Sequence, residues 1–443
     1  MPSHINFITA AQRLDSRGKP TVQVVVVTDH GRFTSLVPSG ASKGDYEAIE
    51  LRDGDPTKYN GNGVTKAVDN VQNVLGPQLV AQKFDVASEQ AAIDRFMCDM
   101  DGTSDKSRLG ANAILGISMA VARAGAAAKG VPLYEHIATM AHRKGNSYIL
   151  PVPFFNVLNG GVHSGNPMAF QEMMIAPVGA RSLSHAVQIG AEVYAKIKEI
   201  IIERFGRSAI GIGDEGGFAP PISKPHEALD LLLAAIQAAG HEGKVKIGID
   251  PASSEFFNPK TGEYDLGMKW EKPHPLSRQA MTDLYHALLE KYPIVLLEDP
   301  FAQDDWEAWT AFNARCPVEL VGDDLLATNI ARINEADQKK ACNALLLKVN
   351  QIGTVTESID AARRAYELGW AVFVSHRSGE TTDDFIADLT VGLGAGHLKS
   401  GSPCRGERVA KYNRLMDIED DLEGKATKHV YSGSNFRYAH KLE

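Results

Sequence analysis

From about residue 145 onward one short pattern recurs: an apolar run, a loop and a helix, with informative runs that stop on a polar side chain able to do chemistry. The runs are "KVKIGID" ending at Asp250, "PIVLLED" reaching Glu298, "VELVGDD" reaching Asp323 and "ALLLK" ending at Lys348. "AVFVSHRS" follows, with His376, Arg377 and Ser378, and then "GHLKSGS" with Lys399. The polar ends lie 48, 25, 25, 28 and 23 residues apart. A strand of about five residues, a helix of about eleven and two loops fill roughly 25. The helices between are visible, as in "TESIDAARRAYELG", with an apolar stripe and a closing Gly369. Continuous apolar strands alternating with helices predict a parallel sheet covered by helices. An open doubly wound sheet shares this rhythm, but ligands there concentrate at a switch point. Polar residues ending strand after strand favour a barrel, whose C-terminal strand ends meet at one mouth.

The first 140 residues read differently. "TVQVVVVTDHGRFTSLVPSG" is two β-rich runs joined at Asp29-His30-Gly31, a hairpin signal. "VTKAVDNVQNVLGPQLV" and "GANAILGISMAVARAGAAAKG" have helical spacing, the second with Gly130 as its cap. "ATMAHRKGNSY" reads as a bridge, so residues 1–140 are expected to form a smaller α+β domain and 141–443 the α/β barrel. The net charge of −9 argues against nucleic acid or an anionic membrane as main partner. Four scattered cysteines without a C-x-x-C pair suit a reducing compartment. No leader pattern and no run of about 18 apolar residues is seen, so the cytoplasm is the expected location.

Asp250, Glu298 and Asp323 at successive strand ends would repel one another unless a cation sits between them. Oxygen ligands without His or Cys point to a hard ion such as Mg²⁺. Lys348, beside such an ion and a second amine at Lys399, is expected to have its pKa drawn towards neutrality and to act as a general base. Arg377 and Ser378 offer a forked donor and a hydroxyl for phosphate or carboxylate. "GDEGGFAP" presents Asp214 and Glu215, and "FQEMMIAP" presents Glu172; two carboxyls sharing a proton would leave one with a raised pKa. The glycine-rich "VPSGASKGDYEA" and "NGGVHSGN" lack nucleotide-binding patterns and read as lids over a substrate.

Beyond these separate features, "LDSRGKPTV", "VPSGAS", "LGANAILG", "QEMMIAPVGA", "GDEGGFAP", "EDPFAQDDW", "LLLKVNQIGT", "SHRSGET" and "AKYNRL" together resemble the enolase family from end to end. The resemblance implies an N-terminal α+β domain, a modified TIM-type αβ barrel, and a homodimer. It implies a Mg²⁺-dependent lyase that reversibly dehydrates 2-phospho-D-glycerate, a small phosphorylated carboxylic acid, to phosphoenolpyruvate. By position it implies Asp250, Glu298 and Asp323 as ligands of a first Mg²⁺, and Ser42 as the lid residue reaching a second that comes with substrate. It implies Lys348 as base and Glu215 as the acid assisting hydroxide, with Glu172 beside it. His163, His376, Arg377, Ser378 and Lys399 are the implied substrate contacts.

Several neighbours depart from the family pattern: Lys43 on the lid, Val162 and Ser164, Leu326 and Ala327, Ser400 and Ser402, and Gly406. The stretches around 43, 162–164 and 326–327 are expected to flank the site. They leave open a paralogue acting on a related phospho- or phosphono-acid, with Lys43 meeting an added negative group. A binding protein without catalysis would lack a ligand or the base, and none is missing.

Overall fold

The computed structural model describes residues 2–40, 44–143, 147–270 and 272–442. Ser42 and Lys43 therefore lie outside the described residues. Strands β1 (Phe7–Leu14), β2 (Pro20–Thr28) and β3 (Gly31–Leu36) form an antiparallel meander. The expected hairpin turns where Thr28 pairs with Gly31. Val22, Val24 and Val26 alternate along β2 and are fully buried, the period-2 signature of a half-buried strand. They face the helix Ala111–Lys129, which closes on Gly130 in the left-handed region. A Cβ at Gly116 would stand 2.5 Å from Val24 Cγ2, so this close approach requires glycine. That helix is long and apolar enough to cross a bilayer, but 83% of its apolar window is buried inside the protein. The helix read over 64–80 forms in pieces. A π-helical stretch, Asn70–Leu75, lies just ahead of Pro77, which cannot continue the regular bond ladder.

The second half closes into an eight-stranded barrel in chain order. Its strands are Val152–Asn159, Glu172–Ala176, Lys246–Asp250, Ile294–Glu298, Glu319–Gly322, Ala344–Leu347, Ala371–Ser375 and His397–Lys399. The sheet is not wholly parallel, contrary to the rhythm's simplest reading: the second strand runs antiparallel to both neighbours. The link before it contains only the single turn Gly161–His163 and no crossover helix. A strand entered without a crossover returns antiparallel.

Phe154, Met174, Leu296, Val321, Leu346 and Phe373 fill the interior, and Phe436 from the C-terminal turn plugs the base, 5.4 Å from the Phe154 ring. His397 and Glu319, both fully buried, meet at 2.6 Å beside that plug. Leu345 and Leu347 point outward into the larger core under the helices. Each such side chain contributes about 1.5–3 kcal/mol by leaving water.

The N-terminal part is tied across the barrel mouth. Ser39 and Gly379 exchange two backbone bonds of 2.8 Å, Ala48 donates to Gln351 O at 2.8 Å, and Ser16 donates to Glu380 O at 2.7 Å. Arg123 binds Asp383 through both terminal nitrogens, at 3.0 and 2.9 Å.

His136, on the helix Leu133–Met140, is 1% exposed, and neither ring nitrogen has a hydrogen-bond partner among the described residues. Burial pulls its pKa down to about 4. Between its unfolded value of about 6.5 and about 4, the unfolded chain takes a proton that the folded chain refuses, so stability falls as pH falls through this window. His136→Leu is expected to reduce the acid-induced loss by roughly 2 kcal/mol at about pH 5, read by urea unfolding against wild type at neutral pH.

Candidate active site

Side chains alternate along a strand, so every second residue enters the barrel. Leu296 is interior, which places Glu298 in the layer above; by the same parity Met174 places Glu172, Val321 places Asp323, Leu346 places Lys348, and His397 places Lys399. Asp250 follows Gly248 in register with them. Glu172 joins this upper layer because its strand is reversed: it pairs with Asp250, so it begins its strand where the others end.

Lys399 is 1% exposed. Its Nζ lies 2.6 Å from Glu298 Oε1, 3.1 Å from Glu172 Oε2 and 3.4 Å from Asp250 Oδ2. Burial opposes its charge, but Glu172, Glu298 and Asp250 hold its pKa well above the usual lysine value. Lys348 donates to Asp323 Oδ2 at 2.5 Å, while Gln351 donates to Asp323 Oδ1 at 2.8 Å. Burial favours the neutral amine of Lys348, yet the touching Asp323 carboxylate outweighs it and raises the pKa. The lowering expected from the sequence is for Lys348 beside a bound cation.

Glu172, Glu215 and His163 bring polar atoms within 4.8 Å of one another. The two carboxyls split. Burial and the charge of Glu215 push Glu172 well above the carboxylate range. Burial acts the same way on Glu215, but His376, His163 and Arg408 overcome it and hold it well below. The raised member is thus Glu172, whereas the family role of acid points to Glu215. Asn156 donates to Glu215 Oε2 at 2.8 Å. His376 Nε2 faces the same oxygen at 3.3 Å, and His163 Nδ1 faces Oε1 at 3.5 Å. Fully buried Arg408 donates to His376 Nδ1 at 2.6 Å and also binds the backbone oxygens of Arg377, Ser378 and Asp214. Arginine cannot accept, so Nδ1 must, which leaves the proton of the neutral ring on Nε2. Burial lowers the His376 pKa to about 4, consistent with a neutral ring.

Arg377 does not stand free for an anion. Glu47, from the N-terminal loop, accepts from both guanidinium ends at 2.9 and 3.1 Å, and Asn350 Oδ1 accepts at 2.8 Å. Ser378 lies beside it, with Arg17 Nη1 3.4 Å from its hydroxyl. The mouth encloses about 30 Å³, room for about one or two waters. Among the described residues, the neighbours that departed from the family, Val162, Ser164, Leu326, Ala327, Ser400, Ser402 and Gly406, do not line this space. Val162 is 46% exposed on the outer side of its loop, and Leu326 and Ala327 are fully buried. Ser402 donates to Asn156 O and Ser400 to Arg408 O.

Glu47, Asn156, Arg408, Gln351 and Asp299 were not singled out from the sequence. Asp299 alone had a signal, the acidic doublet with Glu298. Its oxygens accept from the backbone N–H of Asp323 and Asp324, each at 2.8 Å, and so set the Asp323 turn.

Asp250, Glu298 and Asp323 fit a hard cation. They come from adjacent strands and offer oxygen only, and Glu298 Oε2 is fully buried with no hydrogen-bond partner. The described aspartates whose oxygens lie within 4.8 Å of one another are, instead of that trio, Asp299, Asp323 and Asp324. Together, the fold and site define an αβ-barrel enzyme built to hold a cation and a small anion.

Residues 5–137 match the enolase N-terminal domain, and residues 147–440 match the enolase C-terminal TIM barrel domain. Over 441 residues the chain is 54% identical to a protein described as Enolase from Eimeria tenella, covering 97% of this chain and 98% of that one. The chain belongs to the enolase family. Its activity is that of a metal-dependent hydro-lyase, phosphopyruvate hydratase, and nothing here favours the altered-substrate alternative.

Glu47→Gln removes the carboxylate charge that occupies Arg377. Inorganic phosphate is expected to bind the variant several-fold more tightly, about 1 kcal/mol by calorimetry, while equal affinity would show that Glu47 does not compete.

Proposed function

We propose that Lys348 removes the α-proton of 2-phospho-D-glycerate and that the Glu172–Glu215 pair assists departure of the hydroxide. The carrying observation is placement. Lys348 follows the sixth strand and Glu172 begins the second, four strands apart in a closed ring of eight. Base and acid thus come from opposite walls of one cavity, as removal of a proton and a hydroxide from opposite faces requires.

Taking the proton puts a second negative charge on the substrate carboxylate. The Lys399 ammonium, buried at the centre of the mouth, is placed to stabilise it. Glu172 carries the pair's proton, and Glu215, between two histidines, directs it to the leaving oxygen. Neutral His376 presents Nε2–H, and His163 completes that wall. Arg377 and Ser378 hold the phosphate once Glu47 is displaced. Asp250, Glu298 and Asp323 would hold one Mg²⁺, with Ser42 implied for a second that arrives with substrate; the ions supply positive charge for the doubly ionised carboxylate. Asp323 would then share its negative charge between the ion and the Lys348 amine.

The proposal extends to a division near residue 140, to a cytoplasmic location supported by four unpaired cysteines, and to a homodimer. Exposed Val162, Phe205 and Ile212 around one groove support a second copy as partner.

Purified protein with 2-phosphoglycerate should produce the ultraviolet absorbance of an enol phosphate only when Mg²⁺ is present. Lys348→Ala should lose both turnover and α-proton exchange, by at least about 10³-fold; retained exchange would remove Lys348 from the base role. Asp323→Ala should weaken Mg²⁺ binding, and an unchanged titration would contradict the ligand set.

A further inference from the structure

A half-buried amine outside this machinery has no assigned task. Lys269 lies on the 251–276 excursion that follows the Asp250 strand. Its Nζ donates to the backbone oxygen of Gly161 and, at 2.9 Å, to that of Ser164. Those two carbonyls bracket Val162 and His163. Next in sequence, Trp270 Nε1 donates to Pro167 O at 2.8 Å and its ring stacks on His274. Two consecutive side chains thus grip the start and the end of the loop that carries His163.

The loop has reason to need a clamp. It replaces a crossover helix with one turn, Gly161–His163. Gly161 has a φ of +52°, and Val162 faces outward. From inside, His163 Nδ1 faces Glu215 Oε1 at 3.5 Å with no hydrogen bond joining them, so the loop itself has to hold the ring there. A lysine that serves carbonyls instead of a carboxylate is uncommon, because burial works against its charge; burial does lower the pKa of Lys269. A charged donor to two carbonyls is roughly twice as strong as a neutral one.

We infer that Lys269, with Trp270, is a positioning residue: it clamps the 161–167 loop so that the His163 ring stays against Glu215 and the substrate. This rests on the proposed substrate contact of His163, and the test separates the two. kcat/KM for 2-phosphoglycerate is measured for His163→Ala, Lys269→Met and the double variant, with unfolding midpoints recorded alongside. Lys269→Met is expected to lose roughly 10- to 100-fold, the scale of a misplaced catalytic wall. The double variant should be no worse than His163→Ala alone, because the clamp acts through that ring. Near wild-type activity of Lys269→Met, or losses that multiply in the double variant, would overturn the clamp while leaving His163 its role. An undiminished His163→Ala would remove that role and the clamp's purpose with it. If Lys269→Met does not fold, Trp270→Phe, which keeps the stacking ring and removes the N–H, is judged by the same cycle.

Discussion

Lys399 touches carboxylates from three barrel strands, and the mouth is organised around that contact. Glu172, Asp250 and Glu298 are nearly inaccessible to water. Carboxyl groups in such a shared low-dielectric space repel one another when ionised, and each charge carries a desolvation cost of several kcal/mol. One ammonium at the centre, and a second at Lys348 against Asp323, let the charges be buried together without a metal. Removing either amine would leave buried charge uncompensated, which is far costlier than the loss of an exposed pair. A cation reaching these oxygens redistributes bonds that the lysines already make.

The same logic links the two halves of the chain. Arg377 would be another buried charge without a partner, and Glu47 supplies one from the N-terminal loop. That loop is anchored close by: the Tyr46 ring lies 3.8 Å from the Arg332 guanidinium, and Tyr46 OH donates to Asp304 at 3.0 Å. The N-terminal part thus carries the carboxylate that pairs with Arg377. The mouth's electrostatics are settled by an internal carboxylate on one side and internal amines on the other.

The barrel and most of its rim were legible because strand parity and strand ends are local properties of a sequence. "ALLLK" puts Lys348 in the same inward register as Ala344 and Leu346, and this can be read from five residues. Glu172 was placed in the site for a different reason. Its run reads as an ordinary apolar stretch, and its reversal depends on a missing crossover helix more than on the strand itself. Glu47 and Arg408 were not legible, because their importance comes from partners brought near only by folding, such as Arg377 lying 330 residues from Glu47. The direction of the Lys348 shift is not legible for a related reason: it depends on whether Asp323 faces an amine or a cation, and spacing does not reveal that. The departures at Val162, Leu326 and Ala327 looked close to the site by sequence, yet parity and loop direction turn them away from it.

The central claim is that the carboxylates are held by the two lysines until a cation takes them over, and that this exchange makes Lys348 basic. The most direct measurement is the pKa of Lys348 by NMR of protein labelled at the lysine side-chain carbons, titrated with and without saturating Mg²⁺ and assigned with Lys348→Arg. A raised value in the metal-free protein, falling by at least about one unit with Mg²⁺, is predicted, each unit being worth about 1.4 kcal/mol. A Lys348 pKa that Mg²⁺ leaves unmoved would contradict the account.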